Sequence, residues 1–89
     1  MQIAYNKTNI KLNYLSCYVN FWIKDKTISF VNTVFDTNVT LTGELNDIKL
    51  LVDDLSKGVT TNKILIDLKS FSNDNEILYI HLLKEHIIE

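Results

Sequence analysis

Apolar and polar residues alternate most regularly between Leu15 and Lys24. Leu15, Cys17, Val19, Phe21 and Ile23 share one parity, and Ser16, Tyr18, Asn20, Trp22 and Lys24 share the other. A period of two over this length predicts a strand with one buried face. A two-residue turn at Asp25-Lys26 sets Ile23 opposite Ile28, Phe21 opposite Phe30, Val19 opposite Asn32 and Cys17 opposite Val34. The other face then pairs Trp22 with Ser29, Asn20 with Val31 and Tyr18 with Thr33. One register serves both faces, as it must where a one-residue slip would turn every side chain over. A second two-residue turn at Asp36-Thr37 places Val34 opposite Val39, Asn32 opposite Leu41 and Thr33 opposite Thr40, which completes a three-stranded meander. Upstream, Gln2–Tyr5 and Ile10–Tyr14 read as strands around the turn-rich Asn6-Lys7-Thr8-Asn9. The parity of Ile10, Leu12 and Tyr14 does not continue into Leu15 and Cys17, so a bulge or bend is expected near Asn13.

From Thr42 to Gly58 the period changes to that of a helix. Thr42 is the expected N-cap, Glu44 lies in the first turn, Lys57 in the last, and Gly58 occupies the position after the C-cap. Leu45, Ile48, Leu51, Val52 and Leu55 fall within an arc of about 120°. Asn46, Asp47, Lys49, Asp53, Asp54 and Lys57 take the opposite side, and Leu50 stands among these charges with no core role. Beyond a loop at residues 59–62, Ile64, Ile66 and Leu68 alternate with Lys63, Leu65, Asp67 and Lys69. A hairpin aligning Leu68 with Leu78, Ile66 with Ile80 and Ile64 with Leu82 is the preferred reading. The rival reading is a helix over Glu76–Ile88 with Asn73 as cap, in which Leu78, Tyr79 and Leu82 would lie opposite Ile77 and Ile80. The expected fold is therefore a single α+β domain over residues 1–89. Its elements run β-β-β-β-β-α-β-β, and one antiparallel sheet of five to six strands, with an N-terminal meander, carries one amphipathic helix on one face. A helix of about 15 residues is only ~22 Å long. It leaves part of such a sheet uncovered unless the sheet curls around it.

Size and composition narrow the chemistry. A chain of 89 residues builds one modest core with little room for an enclosed active site. Gly43 and Gly58 are the only glycines, so neither a phosphate-cradling loop nor a nucleophile elbow is present. One cysteine forms no intramolecular disulfide framework. Ile, Asn and Lys number 11, 10 and 9, whereas Ala occurs once and Arg not at all, a bias expected of an AT-rich genome. Without Arg, the bidentate contacts that dominate base and phosphate recognition are missing. Neither the basic and apolar segments of a secretory signal nor an apolar run of membrane-spanning length is read, so a cytoplasmic location without membrane partners is the expectation.

The residues that carry reactive groups do not assemble into a catalytic or metal-binding pattern. Cys17 falls on the inward parity, where a thiol acts as a small hydrophobe. His81 and His86 are five apart, a spacing that suits neither a helical nor a strand metal pair. Asp67, Tyr79 and His81 would form a loose polar cluster on the outer face of the C-terminal hairpin. The reading is a non-enzymatic protein with no cofactor and no metal.

Binding surfaces are better marked. Tyr14, Tyr18 and Trp22 recur every four residues on the outer parity of the long strand, and such side chains are enriched at interface hot spots. Residues through Phe35 carry net +3 and those from Asp36 onward net −5. The acidic helix offers Asp47, Leu50 and Asp54 as a second contact set, with charge suited to a basic partner such as a nuclease or nucleic-acid-binding protein. Direct nucleic-acid binding is disfavoured by the net charge of −2 and by Lys as the only cation besides His. The expected function is a small inhibitor that occludes a larger protein, as toxin-immunity proteins and phage-encoded anti-defence proteins of the anti-CRISPR type do. Two alternatives are a homo-oligomeric structural or assembly component of a phage or bacterial system, in which a homodimer buries the same strip, and a small ligand-binding or nucleic-acid-binding module. Over Val39–Leu82 the succession of meander, acidic helix and closing hairpin resembles, in pattern only, toxin-immunity proteins of the WapI type.

Overall fold

The computed structural model describes residues 11–89. The expected strand at Gln2–Tyr5 therefore lies outside the described residues. The meander forms as β2 (Val19–Lys24), β3 (Thr27–Asn32) and β4 (Thr37–Thr42), an antiparallel sheet with β3 in the centre. β2 and β3 pair in the expected register, with Val19 opposite Asn32, Phe21 opposite Phe30 and Ile23 opposite Ile28. Asp25 adopts φ 57°, the left-handed conformation that tight hairpin turns favour at their first central residue.

The second hairpin differs. Asn32 pairs with Thr37, Phe30 with Val39 and Ile28 with Leu41, and a four-residue loop, Thr33 to Asp36, replaces the expected two-residue turn. The Asn32 side chain causes this. Its Oδ1 accepts from the backbone N–H of Val34 (2.9 Å) and of Phe35 (3.0 Å), which bends the chain out of the ladder before Val34 can pair. Relative to the expected pairing each partner moves by an even number of residues, so the same side chains still face inward.

The long strand is also interrupted. After Leu15, which bridges to Ile88, the chain turns at Cys17-Tyr18, where Val19 N–H donates to the Ser16 carbonyl at 3.0 Å. Ser16 takes the buried place and Cys17 is exposed, contrary to its expected core position. The break in parity that pointed to a bulge or bend near Asn13 is met instead by the turn at Cys17-Tyr18, since pairing runs from Leu12 through Ser16. β1 (Leu12–Asn13) pairs with β5 (Val59–Thr60) in a separate two-stranded sheet, and beyond it Tyr14 and Glu89 exchange backbone hydrogen bonds of 2.8 Å.

Helix α1 spans Leu45–Lys57, with Glu44 rather than Thr42 at its N-cap, because Thr42 is committed to the ladder opposite Thr27. It ends at Gly58, whose φ of 94° suits a residue without a Cβ. Ile48, Leu51 and Leu55 are buried and Val52 is partly buried, as expected, but Leu45 is exposed.

The C-terminal hairpin is absent, and with it goes the likeness to WapI-type immunity proteins. Residues 61–68 form α2 (Thr61–Leu68) and residues 75–84 form α3 (Asn75–Lys84). In α2, Ile64, Asp67 and Leu68 are buried at helical spacing, Thr60 Oγ1 caps the N-terminus by accepting from Lys63 N–H, and Ile66 is 66% exposed. The alternation of Ile64, Ile66 and Leu68 matched a strand, yet the i,i+4 pairs Ile64–Leu68 and Lys63–Asp67 carry the helix. In α3, Leu82 is buried and Leu78, Tyr79 and Leu83 pack against the core, while Ile77 and Ile80 remain exposed on the opposite side. The fold is α+β with antiparallel sheets, but the described residues form two sheets of three and two strands and three helices instead of one larger sheet and one helix.

One core joins these elements. Ile28 and Phe30 of β3 and Val39 and Leu41 of β4 meet Ile48, Leu51 and Leu55 of α1, Ile64 and Leu68 of α2, Leu82 of α3, and the C-terminal Ile87 and Ile88. Two buried asparagines tie its ends together. Asn13 donates to the Val59 carbonyl (3.0 Å) and to Thr61 Oγ1 (3.3 Å), and accepts from the Tyr79 hydroxyl (2.7 Å). Besides its two turn contacts, Asn32 donates to the His86 carbonyl at 2.7 Å. Their polar atoms are thus satisfied, as buried groups require.

Candidate interaction surface

β2 is the least buried strand, and its two faces expose different residues. Alternation places Asn20, Trp22 and Lys24 on the outer face of the sheet, next to Val31 and Ser29 of β3. Tyr18 continues the register, since its carbonyl accepts from the Thr33 N–H at 3.3 Å, so Tyr18 and Trp22 lie on one face. Each is 54% exposed, and no element of the described residues covers them. On the inner face, Phe21 and Ile23 were expected in the core. Phe21 is instead 39% exposed and Ile23 is similarly open, although the Phe21 ring lies 6.2 Å from that of Phe30. The buried core lies under β3 and β4, from which it takes Ile28, Phe30, Val39 and Leu41, and β2 stands at its margin with Val19 packed against it.

The other expected contact residues lie elsewhere. Tyr14 does not extend the strip; its ring sits against Gly58, so close that a Cβ there would lie 2.6 Å from Tyr14 Cε1. Asp47, Leu50 and Asp54 are on α1, which packs against the inner face, so they cannot share one flat surface with Tyr18 and Trp22. Leu50 is exposed and Asp47 half-buried. Asp54 is engaged by Lys63 Nζ at 3.0 Å, which also holds Asp67 Oδ1 at 2.7 Å. Burial, and then the neighbouring Asp54 carboxylate, push the Asp67 carboxyl up to about 6, while Asp67 beside it, and then Lys63, hold Asp54 below its ordinary value. The two carboxylates flanking Lys63, Asp67 first, raise the ammonium group. Asp67 Oδ2 is buried without a hydrogen-bond partner among the described residues, a state that favours the neutral acid.

The cluster of Asp67, Tyr79 and His81 does not assemble. Asp67 turns toward α1, Tyr79 reaches Asn13, and His81 is exposed on α3. His86 adopts φ 58° and stacks on Phe35 with ring centroids 3.7 Å apart. Among the described residues no group of three or more His, Cys, Asp or Glu is arranged to hold a metal ion, and no helix is long and apolar enough to cross a membrane. Phe21, Ile23 and Val34 are exposed apolar residues that the alternation pattern placed on the inward face.

What the fold and this surface define is a small α+β protein with an open sheet face. Comparison of the chain with protein-family models, with curated proteins and with solved structures found no match.

Proposed function

We propose that this protein is a small non-enzymatic binding protein that occludes a larger protein, with Tyr18 and Trp22 at the centre of the contact. The supporting observation is their joint exposure on the outer face of β2, where two large amphipathic side chains stand beside Asn20, Val31 and Thr33. Aromatic side chains presented from a sheet lose little conformational entropy on binding and bury large areas. The end of β3 beside this face is secured by Asn32, which donates to the His86 carbonyl and accepts from the Phe35 N–H. This reading suits an immunity or anti-defence inhibitor. Asp47 and Leu50 provide a separate contact on the opposite side of the protein, and Asp54, held by Lys63, is not part of it.

The test uses the immobilised full-length chain and a lysate of the source organism, followed by affinity measurement on the captured protein. Trp22→Ala and Tyr18→Ala each weaken binding by about 2 kcal/mol, roughly thirtyfold, while leaving the unfolding midpoint unchanged. Equal affinity of both variants and the wild type removes the outer face from the function.

A further inference from the structure

We infer that the free edge of β2 pairs antiparallel with β2 of a second copy, with Phe21 opposite Phe21, joining the two three-stranded sheets into one of six strands. β3 occupies one side of β2, and among the described residues no strand pairs with the other. The hydrogen-bond pattern shows which residues present that edge. Thr33 N–H donates to the Tyr18 carbonyl, so the residues of the Tyr18 parity, Asn20, Trp22 and Lys24, turn their backbone groups toward β3. The Gly43 N–H bond to the Lys26 carbonyl fixes the same phase independently, by directing that parity of β3 toward β4. Val19, Phe21 and Ile23 therefore aim their N–H and C=O groups at the open side.

Self-pairing must set these three residues against themselves. Only a register centred on Phe21 uses all of them, placing Val19 opposite Ile23 of the second copy on either side of the central Phe21 pair. Each pair exchanges two backbone hydrogen bonds. Every inner-face contact in this register is apolar, and it covers the sides of Phe21 and Ile23 that α1 leaves open. On the outer face Asn20 meets Trp22 and Tyr18 meets Lys24, so no like charges oppose one another and an ammonium group lies beside an aromatic ring. The devices that normally protect an edge are missing: β2 contains no proline and no inward-facing charge, and its one lysine stands at its end. Trp22 remains on the open outer face of the joined sheet, so the dimer presents two copies of the surface proposed above. The inference does not depend on that proposal, and a monomeric chain would overturn the inference while leaving the proposal intact.

A single-strand interface belongs to the small, weak class, so association is expected over roughly 10 μM to 1 mM. In sedimentation of the full-length wild type, the average mass rises across this range from 10.3 kDa toward twice that value. Phe21→Lys and Phe21→Glu each place like charges at the twofold axis and sediment as monomers, and their equimolar mixture recovers the association. Circular dichroism verifies that both are folded. If either is not, Val19→Glu mixed with Ile23→Lys applies the same test to the flanking pairs. A wild type that stays monomeric throughout, single variants that associate as the wild type does, or a mixture of folded variants that remains monomeric each overturns the inference.

Discussion

Replacing Asn32 with alanine removes the side chain that ends β3 and secures the C-terminal segment. Asn32 is fully buried and makes three hydrogen bonds, accepting from Val34 N–H and Phe35 N–H and donating to the His86 carbonyl. A net contribution of about 1 kcal/mol for each gives a loss of about 3 kcal/mol. In a chain of this length that corresponds to a fall in melting temperature of roughly 12–24 °C. The loss spreads beyond the loop, because the His86 carbonyl precedes Ile87 and Ile88, both buried in the core. Urea unfolding followed by far-ultraviolet circular dichroism measures the effect, with Asn38→Ala on the exposed face of β4 as the control, expected within about 0.5 kcal/mol of the wild type. Should Asn32→Ala lose less than about 1 kcal/mol, the turn and the C-terminal anchor do not depend on this side chain and the explanation of the register fails.

Three further outcomes are expected. Ile87→Ala, which empties a fully buried site in the last three residues, lowers stability by about 2–5 kcal/mol in the same urea assay, and a neutral result would show that the C-terminal segment does not belong to the core. Gly58→Ala puts a Cβ both at φ 94° and against the Tyr14 ring, and is expected to cost more than about 1 kcal/mol; Tyr14→Ala relieves the clash but not the conformation, so the double variant recovers part of the loss. Asp67 in the folded protein binds its proton up to about pH 6, above the ordinary carboxyl range, so its contribution to stability declines as pH rises from about 4 through 6. Thermal unfolding of Asp67→Asn across that range should therefore show the variant gaining on the wild type with increasing pH, and a constant difference would contradict the raised value.

The strands of the meander were legible because their alternation was long and their faces differed in polarity. The Asp25-Lys26 hairpin followed from pairing alone. The second hairpin was misjudged because the Asn32 amide, a side-chain group, ends the strand, and pairing by hydrophobic parity cannot distinguish registers that differ by an even shift. Residues 61–84 were misread as strands for a different reason. Ile64 and Leu68 suit both periods, and α3 carries apolar residues all around its circumference, so its helical form leaves Ile77 65% exposed where a hairpin had offered to bury more. The Lys63–Asp67 pair and the Thr60 cap were the local signals that favoured the helix. The shared exposed face of Tyr18 and Trp22 was legible because the outer parity held up to the turn at Cys17, whereas Tyr14 does not join it because that turn separates it from the strand. The ion pair of Asp54 was not legible because its partner, Lys63, lies nine positions away on a different helix.

The central claim is that the face bearing Trp22 is open in the free protein, and the chain contains no other tryptophan. Acrylamide quenching of its fluorescence at a concentration of about 1 μM, below the weak association range, reads that face directly. An open outer face predicts the red-shifted emission of a hydrated indole and ready quenching, both abolished on unfolding-independent capture by a bound partner. Blue-shifted emission that resists the quencher in the isolated, folded chain would contradict the account, because the surface assigned to binding would already be covered.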